Sequence, residues 1–461
     1  MNSWFRKAAA ATLLSLTAFS CMPHLATAAS PAPPWPTNSV IYTIYPSIFS
    51  AKGDLPGVTA QLDRLKKLGV NTIWLMPITP SAISNNGHPN VGSPYSVHDY
   101  FAVNPSYGTP DDLRALVSAA HKRGIKILLD EVLNHTSWDN ALITEHPEFY
   151  VHSDGDAKNP ATIEMAFTYS DVAQLNYANP DLRKYMVGML RYWITDYKID
   201  GFRFDCVNNP DGPNRRIPAD FWQEMGDAVR QTKPDVLLLG EEATPDLALK
   251  PFSLDYAWRL FDALKKSGTD AAGVRAAWQY EKDQYPAEMT HMSMQDNWDS
   301  PRDVNVQGGP AGARAAAVFN FTNTDVPLIY NGMEIGNAAG ETNPHGAIDW
   351  TVGDPQMPSF YRSLIAFHGK NKAIRQGELT WLTNSTPAQV LTYVRSGGGS
   401  EVLIEINFST NEAKGSVQIP EGSGWKEVKL DETGFGTHTV STQFTLAPKE
   451  FAIFERRTPR R

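Results

Sequence analysis

Between about residues 36 and 370, short apolar runs alternate with segments whose apolar residues recur at helical spacing. The apolar runs are rich in β-branched and aromatic residues, which favour strands. An order in which strand and helix alternate predicts a parallel sheet with helical crossovers. The predicted strands are residues 40–49, 70–78, 125–135, 200–205, 235–242 and 326–336, and the predicted helices are residues 59–69, 111–124, 180–197 and 220–232.

The number and character of these units indicate the fold class. Strands that are buried on both faces read as continuous apolar runs, as these do. About eight units fit into residues 36–370, which favours a closed (β/α)8 TIM barrel over an open doubly wound sheet. No glycine-rich phosphate loop follows the first strand, which weakens a dinucleotide-binding alternative. We therefore predict an α/β protein whose catalytic barrel comprises residues 29–135 and 180–374.

Two segments interrupt the alternation. Residues 136–179 form a long polar stretch after the third strand, and a loop of that length inside a compact domain is usually functional. We predict a short inserted domain there. From about residue 375 the helical pattern stops and short alternating strands follow, separated by Gly-rich turns. Residues 375–461 are therefore predicted to form an antiparallel β-sandwich domain.

Composition and charge narrow the classes of partner. The chain has 461 residues, of which 42% are hydrophobic and 20% charged, as in ordinary globular proteins. Its net charge of -9 argues against a nucleic-acid-binding surface, which needs clustered basic residues. Aromatic residues make up 11% of the chain. They suit stacking on sugar rings, although core packing is the default explanation for them.

The N-terminus has the pattern of an export signal. Arg6 and Lys7 precede a short apolar run and a small-residue cleavage pattern, so we predict a signal peptide over residues 1–28. The run is too short to span a bilayer, and we expect no stable membrane insertion after cleavage. Lipoprotein anchoring at Cys21 is not expected, because the residues before it fit poorly. Cleavage leaves Cys206 as a single cysteine, which excludes an intramolecular disulfide.

Polar side chains fall where the predicted strands end. The run "DGFRFD" places Arg203 and Asp205 on one face of a strand and Phe202 and Phe204 on the other, because residues two apart point the same way. In a (β/α)8 barrel, the active site lies at the carboxyl ends of the strands. Arg203 and Asp205 are therefore expected to point into the mouth of the barrel. The other candidates there are Asp130, Asn134, His135, Glu241 and Asp299.

Carboxylates that converge on one mouth suit the hydrolysis of a glycosidic bond. That reaction needs one group to protonate the leaving oxygen and a second to attack the sugar carbon or activate water. Asp205 suits the nucleophile, because Arg203 keeps it ionised, and Glu241 suits the acid/base. Asp299 would hold ring hydroxyls. A purely structural ion pair between Arg203 and Asp205 is the competing interpretation.

The same residues resemble the motifs of the α-amylase family of retaining α-glucan hydrolases and transglycosylases. "DEVLNH" resembles the first motif, "GFRFD" the second, "GEE" the third and "NWDSPR" the fourth. The resemblance implies that Asp205 is the nucleophile, Glu241 the acid/base and Asp299 the third acid. It also implies that Tyr95, in "GSPYSVHDY", stacks on the sugar at the cleavage point. The implied substrate-binding residues are Arg203, His135, Tyr95, Asp130 and Trp298.

The chain departs from the family pattern at several positions. The fourth motif normally carries His where this chain has Trp298, so a hydrogen bond to the sugar is missing and specificity is expected to differ. Asn208 and Asn209 stand where many endo-acting members carry Lys and His. In the family, the residue matching Asn134 often binds a structural calcium ion, and the presence of calcium is left open here. The candidate partners of Asn134 are Asp154, Asp156 and Asp171.

We therefore predict an exported retaining α-glycosidase that hydrolyses α-1,4-glucosidic bonds in starch, maltodextrin or related α-glucans. It needs no organic cofactor. A 4-α-glucanotransferase acting on the same substrates is an alternative, because the same site can pass the sugar to a hydroxyl group instead of water. A weakly catalytic α-glucan-binding protein is a third alternative, motivated by Trp298.

Overall fold

A computed structural model describes the chain over most of its length. The described residues are 36–83, 93–207, 217–241, 244–245, 247–266, 270–339, 347–430 and 438–458. The predicted signal peptide, Cys21, Asn208 and Asn209 lie outside these residues. In the described part of the chain, no helix combines the length and apolar character needed to cross a membrane.

Eight parallel strands form a closed barrel, which confirms the predicted fold class. The ring closes because the first strand pairs on both sides: Ile41 lies opposite Thr72 of the second strand and Leu328 of the eighth. The barrel strands, in chain order, are Ile41–Ile44, Thr72–Leu75, Lys126–Val132, Gly201–Asp205, Leu237–Gly240, Leu254–Tyr256, Thr290–Ser293 and Val326–Tyr330.

Helices follow the strands and cover the barrel. The start of helix Pro110–Lys122 illustrates how the sequence sets their ends. The Thr109 side chain accepts a hydrogen bond from the backbone N–H of Asp112, and the Asp112 carboxylate accepts one from the backbone N–H of Thr109. The main helices are Leu55–Ala60, Leu62–Leu68, Pro110–Lys122, Pro180–Tyr197, Ala219–Thr232, Trp258–Lys265, Ala271–Gln284, Pro310–Thr322 and Met357–Lys370. The short helices and 3-10 turns of the barrel and its flanks are Pro36–Asn38, Pro46–Phe49, Asp303–Val306, Met333–Ile335 and Lys372–Gln376.

Several predicted strands are shorter in the structure. The first ends at Ile44, because Pro46 begins a short helix. The eighth ends at Tyr330, and residues 333–335 form a 3-10 turn instead. Glu241 follows the fifth strand directly, and its backbone N–H donates to the carbonyl of Phe204. The sequence pattern does not locate the sixth and seventh strands, since each is short and has a polar residue, Asp255 or His291, inside it.

The segment after the third barrel strand has its own small sheet. Strand His135–Ser137 pairs in antiparallel fashion with Val172–Gln174, so the two ends of the segment lie side by side. Its other elements are Leu142–Glu145, Pro147–Phe149 and Pro160–Thr162. This arrangement confirms a short insertion after the third strand.

The C-terminal strands form two antiparallel sheets that share a core, as predicted for a sandwich. The first sheet has the order Glu378–Trp381, Val390–Gly397, Ser400–Asn407, Phe451–Arg457 and Lys426–Glu427. The second pairs Ala413–Ser416 with Gln443–Leu446. Val394, Leu403, Phe444, Leu446 and Phe454 pack together between the sheets. The domain boundaries at residues 135, 179 and 374 remain predictions from the sequence.

Candidate active site

Arg203 lies at the centre of the polar mouth of the barrel. Its Nη1 donates to Oδ1 of Asp130 at 2.7 Å and to Oδ1 of Asp205 at 2.9 Å. Its Nη2 lies 2.7 Å from Oε2 of Glu241. The side chain is 1% exposed. One buried guanidinium therefore connects acidic residues from the third, fourth and fifth barrel strands.

The alternation of the fourth strand is as predicted. Phe204 points outward and packs against Trp222 of helix Ala219–Thr232, with ring centres 5.4 Å apart. Arg203 and Asp205 point into the mouth, where they meet Asp130 and Glu241. The strand carries a cation and a carboxylate on one face because that face lines the mouth and the other contacts the helix layer.

Four aromatic rings surround the Arg203 guanidinium. Its central carbon lies between 5.3 and 5.7 Å from the ring centres of Trp74, Tyr95, Tyr256 and Trp298. The Tyr256 hydroxyl also accepts a hydrogen bond from Nε of Arg203 at 3.0 Å. The rings exclude water from the cation. Its interaction with the neighbouring carboxylates is therefore screened less than it would be in water.

Asp130 is fully enclosed by donors. Its Oδ2 accepts hydrogen bonds from the Tyr95 hydroxyl at 3.1 Å and from Nε1 of Trp74 at 3.2 Å. Burial raises the pKa of Asp130 to about 7, against the opposing charge of Arg203. Asp130 therefore orients Arg203 and Tyr95 and has no free side towards a ligand.

Asp205 and Glu241 form the closest acidic pair of the mouth. Carboxylate oxygens of these two residues lie within 4.8 Å of each other. Cys206, the next residue after Asp205, contacts both: its backbone N–H donates to Oε2 of Glu241 at 3.0 Å, and its Sγ lies 3.0 Å from Oδ2 of Asp205. A separation of about 5 Å is what a retaining glycosidase needs between its nucleophile and its acid/base.

The environments of the two carboxyl groups push their pKa values apart. For Asp205 the effect of burial is outweighed by the charge of Arg203 and by hydrogen bonds from Cys206 and Glu241, so its pKa is lowered. Burial raises the pKa of Glu241 to about 8, and the negative charge of Asp205 adds to this effect against Arg203. At neutral pH the pair therefore holds a carboxylate at Asp205 and a proton at Glu241.

His135 and Asp299 lie at the edge of this group. Nδ1 of His135 accepts from the Asn134 side-chain amide at 3.3 Å, and Nε2 donates to the Tyr95 carbonyl at 3.2 Å. Burial lowers the pKa of His135, so its imidazole is neutral. Asp299 is exposed at the rim. Although the residue as a whole is exposed, desolvation of its carboxyl group raises its pKa to about 6, and the charge of Asp205 adds to this effect against Arg203.

Trp298 belongs to the aromatic enclosure of Arg203. Its ring lies edge-on to Trp74, with centres 5.0 Å apart, and is stacked on Tyr95 at 6.2 Å. Tyr330 approaches it at 6.2 Å as well, and Trp298 is only 7% exposed. The indole thus fills space beside Arg203 and supports the Tyr95 ring.

The surroundings of Asn134 do not fit a calcium ion. Nε2 of Gln174 donates to the backbone and side-chain oxygens of Asn134 at 2.9 and 3.3 Å and to the Leu175 carbonyl at 3.2 Å. A nitrogen with its protons therefore occupies the point on which the oxygen ligands converge. Of the candidate partners, Asp154 and Asp156 are exposed and accept hydrogen bonds within their own loop.

The family model for the catalytic domain of α-amylases matches residues 38–381 of this chain. The chain belongs to the α-amylase family. It is a glycoside hydrolase of the α-amylase type.

Named relatives in the family act on α-glucans. A cyclomaltodextrinase of Geobacillus thermopakistaniensis is 27% identical over 92% of this chain and 78% of its own length. An intracellular maltogenic amylase of Bacillus subtilis is 30% identical over 76% of this chain and 65% of its own length. Solved structures agree on the fold: a noncanonic maltogenic α-amylase of Thermotoga neapolitana has a TM-score of 0.79 at 24% identity and covers 92% of this chain and 99% of its own.

Sequence reasoning did not identify three residues of this mouth. Trp74 and Tyr256 contact Asp130 and Arg203 from the second and sixth strands. The inward alternation of the second strand would have indicated Trp74, whereas Tyr256 required locating a three-residue strand. Cys206 carried no signal beyond its position next to Asp205.

Proposed function

We propose that this enzyme hydrolyses α-1,4-glucosidic bonds of starch, maltodextrin or related α-glucans with retention of configuration. The observation that supports this proposal is the Asp205–Glu241 pair. Their carboxylate oxygens lie within 4.8 Å of one another, and their pKa values are shifted in opposite directions. Asp205 is the nucleophile, Glu241 the acid/base and Asp299 the third acid that holds ring hydroxyls of the substrate.

The reaction proceeds in two displacements. In the first, Asp205 attacks the anomeric carbon while Glu241 gives its proton to the glycosidic oxygen, so that the leaving chain departs as an alcohol and a glycosyl ester forms on Asp205. In the second, the Glu241 carboxylate takes a proton from water, the water oxygen attacks the same carbon, and Asp205 is released. Arg203 balances the negative charge of the site throughout, and Tyr95 is the platform on which the sugar stacks.

The linkage that this enzyme cleaves can be determined from its products. Cyclomaltodextrinases, maltogenic amylases and α-amylases dominate the named relatives. A glucan 1,6-α-glucosidase of Streptococcus pneumoniae is also 30% identical over 66% of this chain. Incubation with starch, pullulan, a cyclodextrin and maltotriose, followed by chromatography of the products, decides between the linkages. Products longer than the substrate would indicate a glucanotransferase.

Two variants test the assigned roles. Asp205→Asn should lose at least about 1000-fold in kcat on every glucan, because no carboxylate remains to form the ester. Glu241→Gln should lose about 100- to 10,000-fold on maltotriose but far less on α-maltosyl fluoride, whose leaving group needs no proton. Asp262→Asn and Glu288→Gln are controls at exposed positions. Full activity of Asp205→Asn on maltotriose would exclude it as the nucleophile.

We further propose that the protein is exported after removal of residues 1–28. The sequence pattern of that segment supports this, although two named relatives are intracellular maltogenic amylases. Expression of the full chain in a Gram-negative host, followed by fractionation and mass spectrometry, tests the proposal. A mature N-terminus at residue 29 outside the cytoplasm is the expected result. An intact chain confined to the cytoplasm would contradict it.

A further inference from the structure

Cys206 lies between the two carboxyl groups that carry the proposed reaction. Its Sγ is 3.0 Å from Oδ2 of Asp205, and its backbone N–H donates to Oε2 of Glu241 at 3.0 Å. The residue is in the left-handed region, with a φ of 52°, which a side chain other than glycine rarely adopts. This backbone conformation directs the N–H towards one acid and the thiol towards the other.

The thiol is the donor in its contact with Asp205. Burial raises the pKa of Cys206 well above its usual value, and the charges of Asp205 and Glu241 add to this effect. The sulfur therefore keeps its proton at neutral pH. Because Asp205 is ionised, the S–H group points to its Oδ2 atom.

The Asp205 carboxylate is held by a different donor on each oxygen. Nη1 of Arg203 binds Oδ1 at 2.9 Å, and the thiol of Cys206 binds Oδ2. Besides the contact with Glu241, Arg203 would fix only Oδ1, and rotamer preferences about the terminal bond of an aspartate are broad. Two donors on opposite oxygens define the plane of the carboxylate.

We propose that Cys206 is a positioning residue, whose thiol fixes the plane of the nucleophilic carboxylate while its backbone N–H fixes the acid/base. This inference rests on the proposed function, in which Asp205 attacks and Glu241 transfers a proton.

The effect of the thiol has to be separated from that of its neighbours. The titratable and charged groups that face Asp205 are Arg203, His135, Glu241, Asp130, Asp299 and Tyr95. None of these groups is altered when the side chain of residue 206 is changed. The backbone N–H to Glu241 is also retained, so a change at the thiol acts directly on Asp205 and reaches Glu241 only through it.

The test compares wild type with Cys206→Ala and Cys206→Ser on maltotriose across the pH range. The alanine variant should lose about 5- to 30-fold in kcat with little change in KM, as expected for one hydrogen bond that orients the nucleophile. The acidic limb of its pH–rate profile should move about 0.5 pH unit towards neutral, because a donor that stabilised the ionised form of Asp205 is missing. The basic limb should stay in place.

The serine variant is the matched rescue, since a hydroxyl group donates from the same position. It should return the acidic limb to within about 0.2 unit of wild type and recover most of kcat. If alanine prevents folding, Cys206→Gly removes the thiol at a φ that glycine adopts freely.

Two results would overturn the inference. One is a thiol-free variant whose kcat and acidic limb match wild type. The other is an equal loss in the alanine and serine variants without a shift of the limb, which would indicate packing alone. Both require an active wild type. A wild-type enzyme that cleaves no α-glucan would instead overturn the proposed function.

Discussion

Glu241 keeps a raised pKa although Nη2 of Arg203 lies 2.7 Å from its carboxylate. The guanidinium favours the ionised form of Glu241, but it also neutralises Asp205 and Asp130. Burial and the negative charge of Asp205 therefore dominate at Glu241. One cation shared among three acids leaves the acid/base protonated while the nucleophile is charged.

This relationship predicts a bell-shaped pH dependence of kcat/KM. Activity requires Asp205 ionised, so it should fall as the pH drops through the pKa of Asp205, which Arg203 holds below that of an ordinary aspartate. It also requires Glu241 protonated, so it should fall as the pH rises through about 8. Initial rates on maltotriose, measured at substrate concentrations well below KM, report both limbs of the free enzyme. A basic limb below pH 6 would contradict the assignment of Glu241.

Tyr256→Phe tests the support of the central cation. The change leaves Nε of Arg203 buried without its 3.0 Å acceptor, which should cost about 1–3 kcal/mol of stability. We expect a lower Tm and a smaller kcat, because the guanidinium can then shift relative to Asp205 and Glu241. Tyr280→Phe is the matched control, since Tyr280 is 41% exposed and its ring contact with Arg259 survives the change. Equal Tm values for the two variants would argue against this role of Tyr256.

Trp298→His introduces the residue that the family pattern has at this position, yet we predict that it lowers both stability and kcat/KM. Trp298 is 7% exposed and packs on Trp74, Tyr95 and Tyr330, so the smaller imidazole leaves a gap. The gap should cost about 2–4 kcal/mol of stability. Tyr95 also loses its stacking partner, so kcat/KM on maltotriose should fall.

Trp298→Phe, which retains a larger and apolar ring, should show a smaller decrease in both Tm and kcat/KM. An increase in kcat/KM for the histidine variant would show instead that a sugar hydrogen bond outweighs this packing.

Because the Gln174 amide lies against Asn134, we predict that the stability of the enzyme does not depend on calcium. Addition of EDTA should leave the Tm of the wild-type enzyme unchanged, because the Gln174 amide already binds the oxygens of Asn134 and Leu175. Gln174→Asp removes the amide and leaves a shorter carboxylate facing those oxygens, an arrangement that calcium prefers. Its Tm should fall and then recover in millimolar calcium.

Gln376→Asp is the control for a new carboxylate at an exposed helix position, and its Tm should not respond to calcium. A decrease in the wild-type Tm with EDTA would contradict the expected independence.

Local patterns in the sequence were sufficient to predict the barrel and several of its site residues. The alternation of "DGFRFD" placed Arg203 and Asp205 in the mouth, because side-chain direction along a strand repeats every two residues. Helix Pro180–Tyr197 matches its predicted bounds, since Asn179 caps it and apolar spacing marks its length. Strand Leu254–Tyr256 has only three residues with Asp255 in the middle, so it forms no continuous apolar run by which it could be located.

The sequence by itself determined which faces of the strands are polar and where acids stand at the strand ends, because these properties depend on neighbours along the chain. Only the tertiary structure decided that Trp74 and Tyr256 enclose Arg203, that Cys206 contacts both carboxyl groups, and that Gln174 occupies the position facing Asn134. These contacts join residues brought together by the closure of the barrel and by single side-chain rotamers, and neither leaves a periodic trace in the sequence.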